Sequence, residues 1–273
     1  MIVGVADSPN NPDEVVQLPA EGEDQPQILI PVSADDHARA KNRIRNRNLI
    51  LAVLAVAAVA WTYKHYTDPI HADEALDAGE RQLKSGQYQQ AILSFDQAIG
   101  YRADYAEAFL ERGRANMALS KPKDALVDFA RYTAMRPQDP VGYIERGRSH
   151  MGREEFAAAL EDGMLAVQNG PELGAAYQLR GVAYRRAGKL AEALADFDRA
   201  VSLAPEMANY FERGATYQDL GKHELAIEDF NEVIKFDGLN SQAYHARSKS
   251  YRALGNIKQA DADHHQGRRL DGR

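Results

Sequence analysis

The side chains in this sequence that could do chemistry are a few histidines and two rows of arginine and aspartate. His264 and His265 stand side by side near the C-terminus, and imidazole is a common ligand for zinc and other transition metals. Adjacent residues on a helix point about 100° apart, however, and no third ligand is placed beside them. The pair therefore reads as part of a polar helix face. His65 and His71 lie without a partner set. The sequence holds no glycine-rich phosphate loop, nucleophile elbow or zinc-binding helix motif. It has no cysteine, which excludes disulfides, thiolate metal sites and cysteine nucleophiles. The expectation is a protein with no catalytic residue, no cofactor and no metal.

The second group is more regular. Arg112, Arg146, Arg180, Arg213 and Arg247 recur at intervals of 34, 34, 33 and 34 residues, and sixteen residues after each comes an aspartate: Asp128, Asp162, Asp196, Asp229 and Asp263. A planar guanidinium and a carboxylate at fixed separation can form a bidentate ion pair, which sets register more than it adds stability. Pairing each aspartate with the following arginine would strand Arg112 and Asp263. The expected bond therefore lies within each unit.

Elements must exist to position those pairs, and other rows outline them. Alanine recurs at Ala91, Ala125, Ala159, Ala193, Ala226 and Ala260, and twelve residues earlier stand Gly79, Gly113, Gly147, Gly181, Gly214 and Ser248. Small residues in both rows let two antiparallel helices approach closely. Four residues after each alanine the row reads Phe95, Phe129, Gly163, Phe197, Phe230 and His264. That is one helical turn further on the same face. Pro137, Pro171 and Pro205 close three of the units, where the second helix must end.

These residues resemble tetratricopeptide repeats, whose pattern is a small residue, Tyr, Ala-x-x-x-Phe and a closing Pro at period 34. Repeat four matches best, with Gly181, Tyr184, Gly188, Ala193, Phe197, Ala200 and Pro205 in place. The resemblance covers roughly residues 72–273 and implies an all-α, right-handed superhelical solenoid of about six helix-turn-helix repeats. They fall near 72–105, 106–139, 140–173, 174–206, 207–240 and 241–273. Repeat three lacks the aromatic, so a neighbour such as Phe156 must fill the gap or leave a cavity. Repeat six carries His264 and Gly267 among charged residues, as a terminal cap needs.

In repeats of this type the first helices line a concave face, which implies a groove for a peptide. Leu76, Leu110, Met117, Ile144, Met151 and Phe211 are expected there, edged by Arg114, Arg148, Arg185, Arg186, Lys249 and Arg252. Such a surface suits a partner with hydrophobic anchors and carboxylates. The alternative reading makes the apolar residues inter-repeat core and the cations a solvated rim. Chaperone-docking members clamp a terminal carboxylate with Lys and Asn. The corresponding residues here are Leu76, Glu80, Glu111, Val141 and Glu145, so that clamp is absent.

The N-terminal third is different in character. Residues 1–36 hold eight acidic residues, no Lys or Arg, and five of the eleven prolines, a composition that cannot bury enough apolar surface to fold. A disordered tail is expected over 1–38, interrupted by the small apolar patch Ile28-Leu29-Ile30-Pro31-Val32. A basic juxtamembrane segment follows at 39–48, with Arg39, Lys41, Arg43, Arg45 and Arg47. Next comes an uncharged run from Leu49 to Tyr63. Fifteen residues span only ~22 Å of a ~30 Å hydrocarbon core. Trp61, Tyr63 and Tyr66 can form an interfacial belt and Lys64 can snorkel, so a transmembrane signal anchor is expected over 49–66. A cleaved signal ending at Ala58-Val59-Ala60 and a buried soluble helix are the alternatives. Asp68-Pro69 is expected to stop the helix, leaving a linker at 67–71.

Cations before the run put the N-terminus in the cytoplasm and the repeats outside, in the periplasm if the cell is bacterial. The net charge of −7 argues against nucleic-acid binding. The sequence thus predicts a membrane-anchored scaffold that binds other proteins or peptides. The alternative is a self-associating scaffold, a homo-oligomer.

Overall fold

The computed structural model describes residues 15–16, 30–31 and 33–272, and it divides at residue 67 into two units. In the first unit, β1 (Val15–Val16) pairs antiparallel with β2 (Ile30–Pro31), placing Val16 opposite Ile30. Four residues of the expected disordered tail are thus paired as strand, and the rest of 1–32 lies outside the described residues. Helix α1 (Ala34–Lys84) starts inside the expected tail. Along it the apolar run is fully exposed, with Leu49, Val56, Trp61 and Tyr63 each more than 60% accessible. By length and composition it is the one helix among the described residues long and apolar enough to cross a membrane. The side chains of His65 and Tyr66 lie outside the described residues.

The structure corrects the expected linker at 67–71, because α1 continues through Pro69. Proline forgoes the amide bond to the carbonyl four residues back and crowds that turn, at a cost of ~3 kcal/mol. The continuing turns recover it. Ala72, Ala75 and Leu76 are buried in a core with Phe95 and Tyr105, and that burial holds the helix beyond the proline.

In the second unit, helices pair in order. The end of α1 and α2 (Tyr88–Tyr101) make the first pair, followed by α3 (Ala106–Ala118) with α4 (Pro122–Met135) and α5 (Pro140–Gly152) with α6 (Phe156–Asn169). Then come α7 (Gly174–Arg186) with α8 (Leu190–Leu203), α9 (Met207–Asp219) with α10 (His223–Phe236), and α11 (Ser241–Ala253) with α12 (Ile257–Asp271). All six alanines of the alanine row are 0% exposed. The aromatic four residues later lies on the glycine of the partner helix: a Cβ on Gly79 would sit 2.4 Å from the Phe95 ring, and one on Gly113 2.5 Å from Phe129. That contact is why the position must be small.

Repeat three solves its missing aromatic differently from the expectation. Leu179, from the following repeat, is 4% exposed and occupies the place over Gly147, where a Cβ would come within 2.5 Å of its Cδ2. Phe156 remains half-buried at the start of α6. Gly163 lets α7 come close, since a Cβ there would stand 2.9 Å from the Arg180 Cα. A leucine borrowed across the repeat boundary replaces a ring within the repeat.

Candidate functional site: the first-helix face and the arginine ladder

All five within-repeat pairs form, each bidentate. Nε and Nη2 of the arginine donate to the aspartate at 3.1 and 2.5 Å for Arg112–Asp128, 3.0 and 2.6 Å for Arg146–Asp162, and 2.8 and 2.7 Å for Arg180–Asp196. Arg213–Asp229 closes at 2.9 and 2.7 Å and Arg247–Asp263 at 2.7 Å for both. Each guanidinium also lies over the aromatic ring three residues earlier, from 5.3 Å at Phe109 to 5.7 Å at Tyr210. Burial pushes the Asp128 and Asp229 carboxyls up despite their arginines. The carboxylates hold Arg146, Arg180, Arg213 and Arg247 above the usual guanidinium range.

A third nitrogen extends the ladder between repeats. Nη1 of Arg112 donates to Asp96, that of Arg146 to Thr133, that of Arg213 to Asp198 and that of Arg247 to Asn231. Each acceptor sits on the second helix of the preceding repeat. The ladder is thus a joint within and between repeats, with no open chemistry except where a rung is missing.

Among the described residues, first helices of successive repeats touch one another (α3 with α5, α5 with α7, α7 with α9, α9 with α11) and second helices do not. The first helices therefore line the inner, concave side. On that side the expected groove residues divide. Leu110 and Ile144 are 8% and 4% exposed and belong to the core, as does Leu76. Leu110 packs with Phe129, Tyr132 and Val141, and Ile144 with Ala166 and Ala176, so little of either side chain is left on the surface. Met117 and Met151 are half-buried, and the Ser149 hydroxyl donates to the Met117 sulfur at 3.2 Å.

The cationic edge is largely used internally. Arg114 bridges Glu111 and Glu145 at 2.6 and 3.1 Å, Arg185 bridges Glu212 and Asp219 at 2.9 and 3.2 Å, and Arg252 meets Asp261 at 2.7 Å. Arg148 is 3.8 Å from Glu145. Arg186 and Lys249 are exposed without an ion pair among the described residues.

Of the expected apolar anchors, Phe211 opens onto a cavity. Its ring lies 5.7 Å from that of Phe230 and lines a space of about 330 Å³ with Gln178, Val182, Ala208, Glu212 and Gln242. These side chains come from repeats four to six. Gln178 occupies the repeat position held by Leu110 and Ile144 in repeats two and three. An amide at residue 178 breaks the aliphatic row, and that break is the mark of the opening in the sequence. The cavity offers amide donors and acceptors beside an aromatic face. That combination suits a peptide backbone with one apolar side chain. No three His, Asp or Glu residues are grouped to hold a metal among the described residues. His264 and His265 are exposed on α12, with the His245 ring 5.6 Å from His264.

Three family models, each described as tetratricopeptide repeat, match residues 76–140, 174–207 and 208–238. No curated protein matches the chain in sequence. Among solved structures, one similar chain comes from the APC/C hetero-tetramer Cut9–Hcn1, with a TM-score of 0.69 and 15% identity over 74% of this chain. This chain spans only 40% of that one. PilF of Pseudomonas aeruginosa has a TM-score of 0.66 at 16% identity, covering 74% of this chain and 93% of its own. YrrB, described as a TPR protein with an unusual peptide-binding site, has 0.52 at 18%, covering 64% of this chain and 91% of its own. At such identities the likeness is one of fold. Together with the six helix pairs and their small-residue seams, the matches show what the chain carries: tandem tetratricopeptide repeats.

Proposed function

We propose that the chain is a single-pass membrane-anchored scaffold that holds a protein or peptide segment on the first-helix face of repeats four to six. Proteins of this family act through protein–protein contact, and the observation that carries the finer reading is the cavity bounded by Gln178, Val182, Phe211 and Gln242. Its amides match an extended backbone, and Phe211 and Val182 take an apolar anchor. Arg186 and Lys249 stand exposed on first helices of repeats four and six for a flanking carboxylate. A photo-crosslinking residue in place of Gln178, in the full-length chain in cells, is expected to give a discrete adduct. Filling the cavity with Val182→Trp should abolish it. An adduct pattern unchanged by Val182→Trp would reject this face.

The anchor reading is supported by the exposed apolar band of α1 and the five cations that precede it. Placing the N-terminus in the cytoplasm and the repeats outside follows from that charge asymmetry. Protease accessibility of residue 273 in intact and opened cells tests it. Protection in intact cells with cleavage only after the inner membrane is breached would reverse the orientation.

A second reading, a self-associating scaffold, draws support from an apolar spot in repeat five. Phe236 and Leu239 are 57% and 64% exposed, and the Phe236 ring lies 6.1 Å from that of Tyr210. Sedimentation of the full-length chain in detergent distinguishes the two, because a monomer independent of concentration excludes self-association.

A further inference from the structure

Arg180 breaks the ladder. Its Nε and Nη2 hold Asp196 like every other pair, but its Nη1 has no hydrogen-bond partner among the described residues. Two side chains cause it. The repeat position that supplies Asp96, Asp198 and Asn231 to three other guanidiniums is Met164 in repeat three, and the position that supplies Thr133 to Arg146 is Val167. Met164 is 51% exposed, so the missing rung opens toward solvent.

The equivalent place in the first two repeats is a groove between α2 and α4, about 360 Å³ in volume and floored by Arg112. In repeat register Arg180 takes the place of Arg112, and Ala157, Leu160 and Met164 take the places of Gln89, Ile92 and Asp96, so the α6 side is apolar at all three positions. Tyr184 adds an aromatic surface shared by two cations: the Arg180 guanidinium lies 6.0 Å from its centroid and the Lys189 ammonium 5.8 Å. Lys189 is exposed and makes no ion pair among the described residues. Glu192 on the opposite wall is exposed and offsets part of this charge. Nevertheless two cations, one with an unused N–H, face an apolar wall on the outer side of the solenoid. A guanidinium already fixed by its own aspartate is an ordered donor for a further carboxylate.

We infer that the outer groove between α6 and α8 is a second docking site, which takes a partner segment carrying a carboxylate next to apolar side chains. The acid completes the rung that Met164 leaves open, and the apolar residues cover Leu160 and Met164. This site is independent of the first-helix face.

The test uses the full-length chain in detergent and two labelled synthetic helices, alike except for a central residue. One has glutamate flanked by leucines four apart, the other glutamine. Anisotropy is expected to show at least tenfold tighter binding of the glutamate helix. Met164→Asp supplies the missing internal carboxylate and should weaken that binding tenfold or more without lowering Tm. Met164→Leu, which keeps the wall apolar and the N–H unused, should bind as the parent does. If Met164→Asp fails to fold, Lys189→Gln carries the test, with a severalfold loss expected. Phe211→Ala should change nothing. Equal binding of the two helices, unchanged binding by the folded variant, or loss on Phe211→Ala would each overturn the assignment.

Discussion

The ladder aspartates are between 2% and 7% exposed, from Asp128 and Asp162 to Asp263, so each carries a charge that water does not reach. Removing one partner leaves the other buried and unpaired, which costs about 3–5 kcal/mol where the pair is fully desolvated. Asp162→Asn or Arg146→Ala is accordingly expected to lose several kcal/mol in urea unfolding. The double change Arg146→Met with Asp162→Leu should lose clearly less. Acid acts elsewhere. Because burial raises Asp128 and Asp229, their protonation favours the fold, and the stability they contribute is present at low pH and lost as pH rises. Glu155 has the opposite sign: hydrogen bonds from Arg153 and His150 hold its carboxyl down at about 2. Its contribution is present above the ordinary glutamate range and disappears as pH falls from there toward 2. Thermal melts across that window should show a drop in the parent that Glu155→Gln removes. The pairing itself could be read from the sixteen-residue spacing. The third bond of each arginine could not, because its acceptors vary among Asp, Thr and Asn.

At the scale of elements, every hairpin turns through one residue in the left-handed region. Four are Gly86, Gly188, Gly221 and Gly255, but repeats two and three use Ser120 and Glu154, with φ of 56° and 61°. A side chain there costs roughly 1–2 kcal/mol. Ser120→Gly and Glu154→Gly are therefore expected to raise stability by about 1 kcal/mol each, once the added freedom of the unfolded chain is discounted. Repeat three offers a sharper contrast. Leu179→Ala should cost about 2–5 kcal/mol, because a large buried side chain is deleted across a repeat boundary. Restoring the family aromatic with Gly163→Phe should also destabilise, since its Cβ would stand 2.9 Å from Arg180 Cα. Calorimetry on both variants checks this pair. The gap at Gly163 is legible in the sequence. Its filling by Leu179 is not, because the leucine lies sixteen residues away in another repeat and carries no row of its own.

For the whole molecule, rows at a constant period reveal tandem hairpins because each repeat solves the same packing problem. What varies between repeats escapes that logic. Leu110, Ile144 and Phe211 share one repeat position, yet the first two seal the core and the third opens a cavity. Only three-dimensional neighbours separate those fates. The continuity of α1 through Pro69 escaped for a related reason: local preference was outweighed by Ala72, Ala75 and Leu76 in the core. The exposed band on α1 has one more consequence. The chain contains a single tryptophan, Trp61, and it lies in that band at 66% exposure. Indole emission is thus a built-in optical reporter of the stem alone, silent to events among the tyrosine-bearing repeats. In vesicles, brominated acyl chains should quench it and its maximum should shift to the blue, while denaturant that melts the repeats leaves it unchanged.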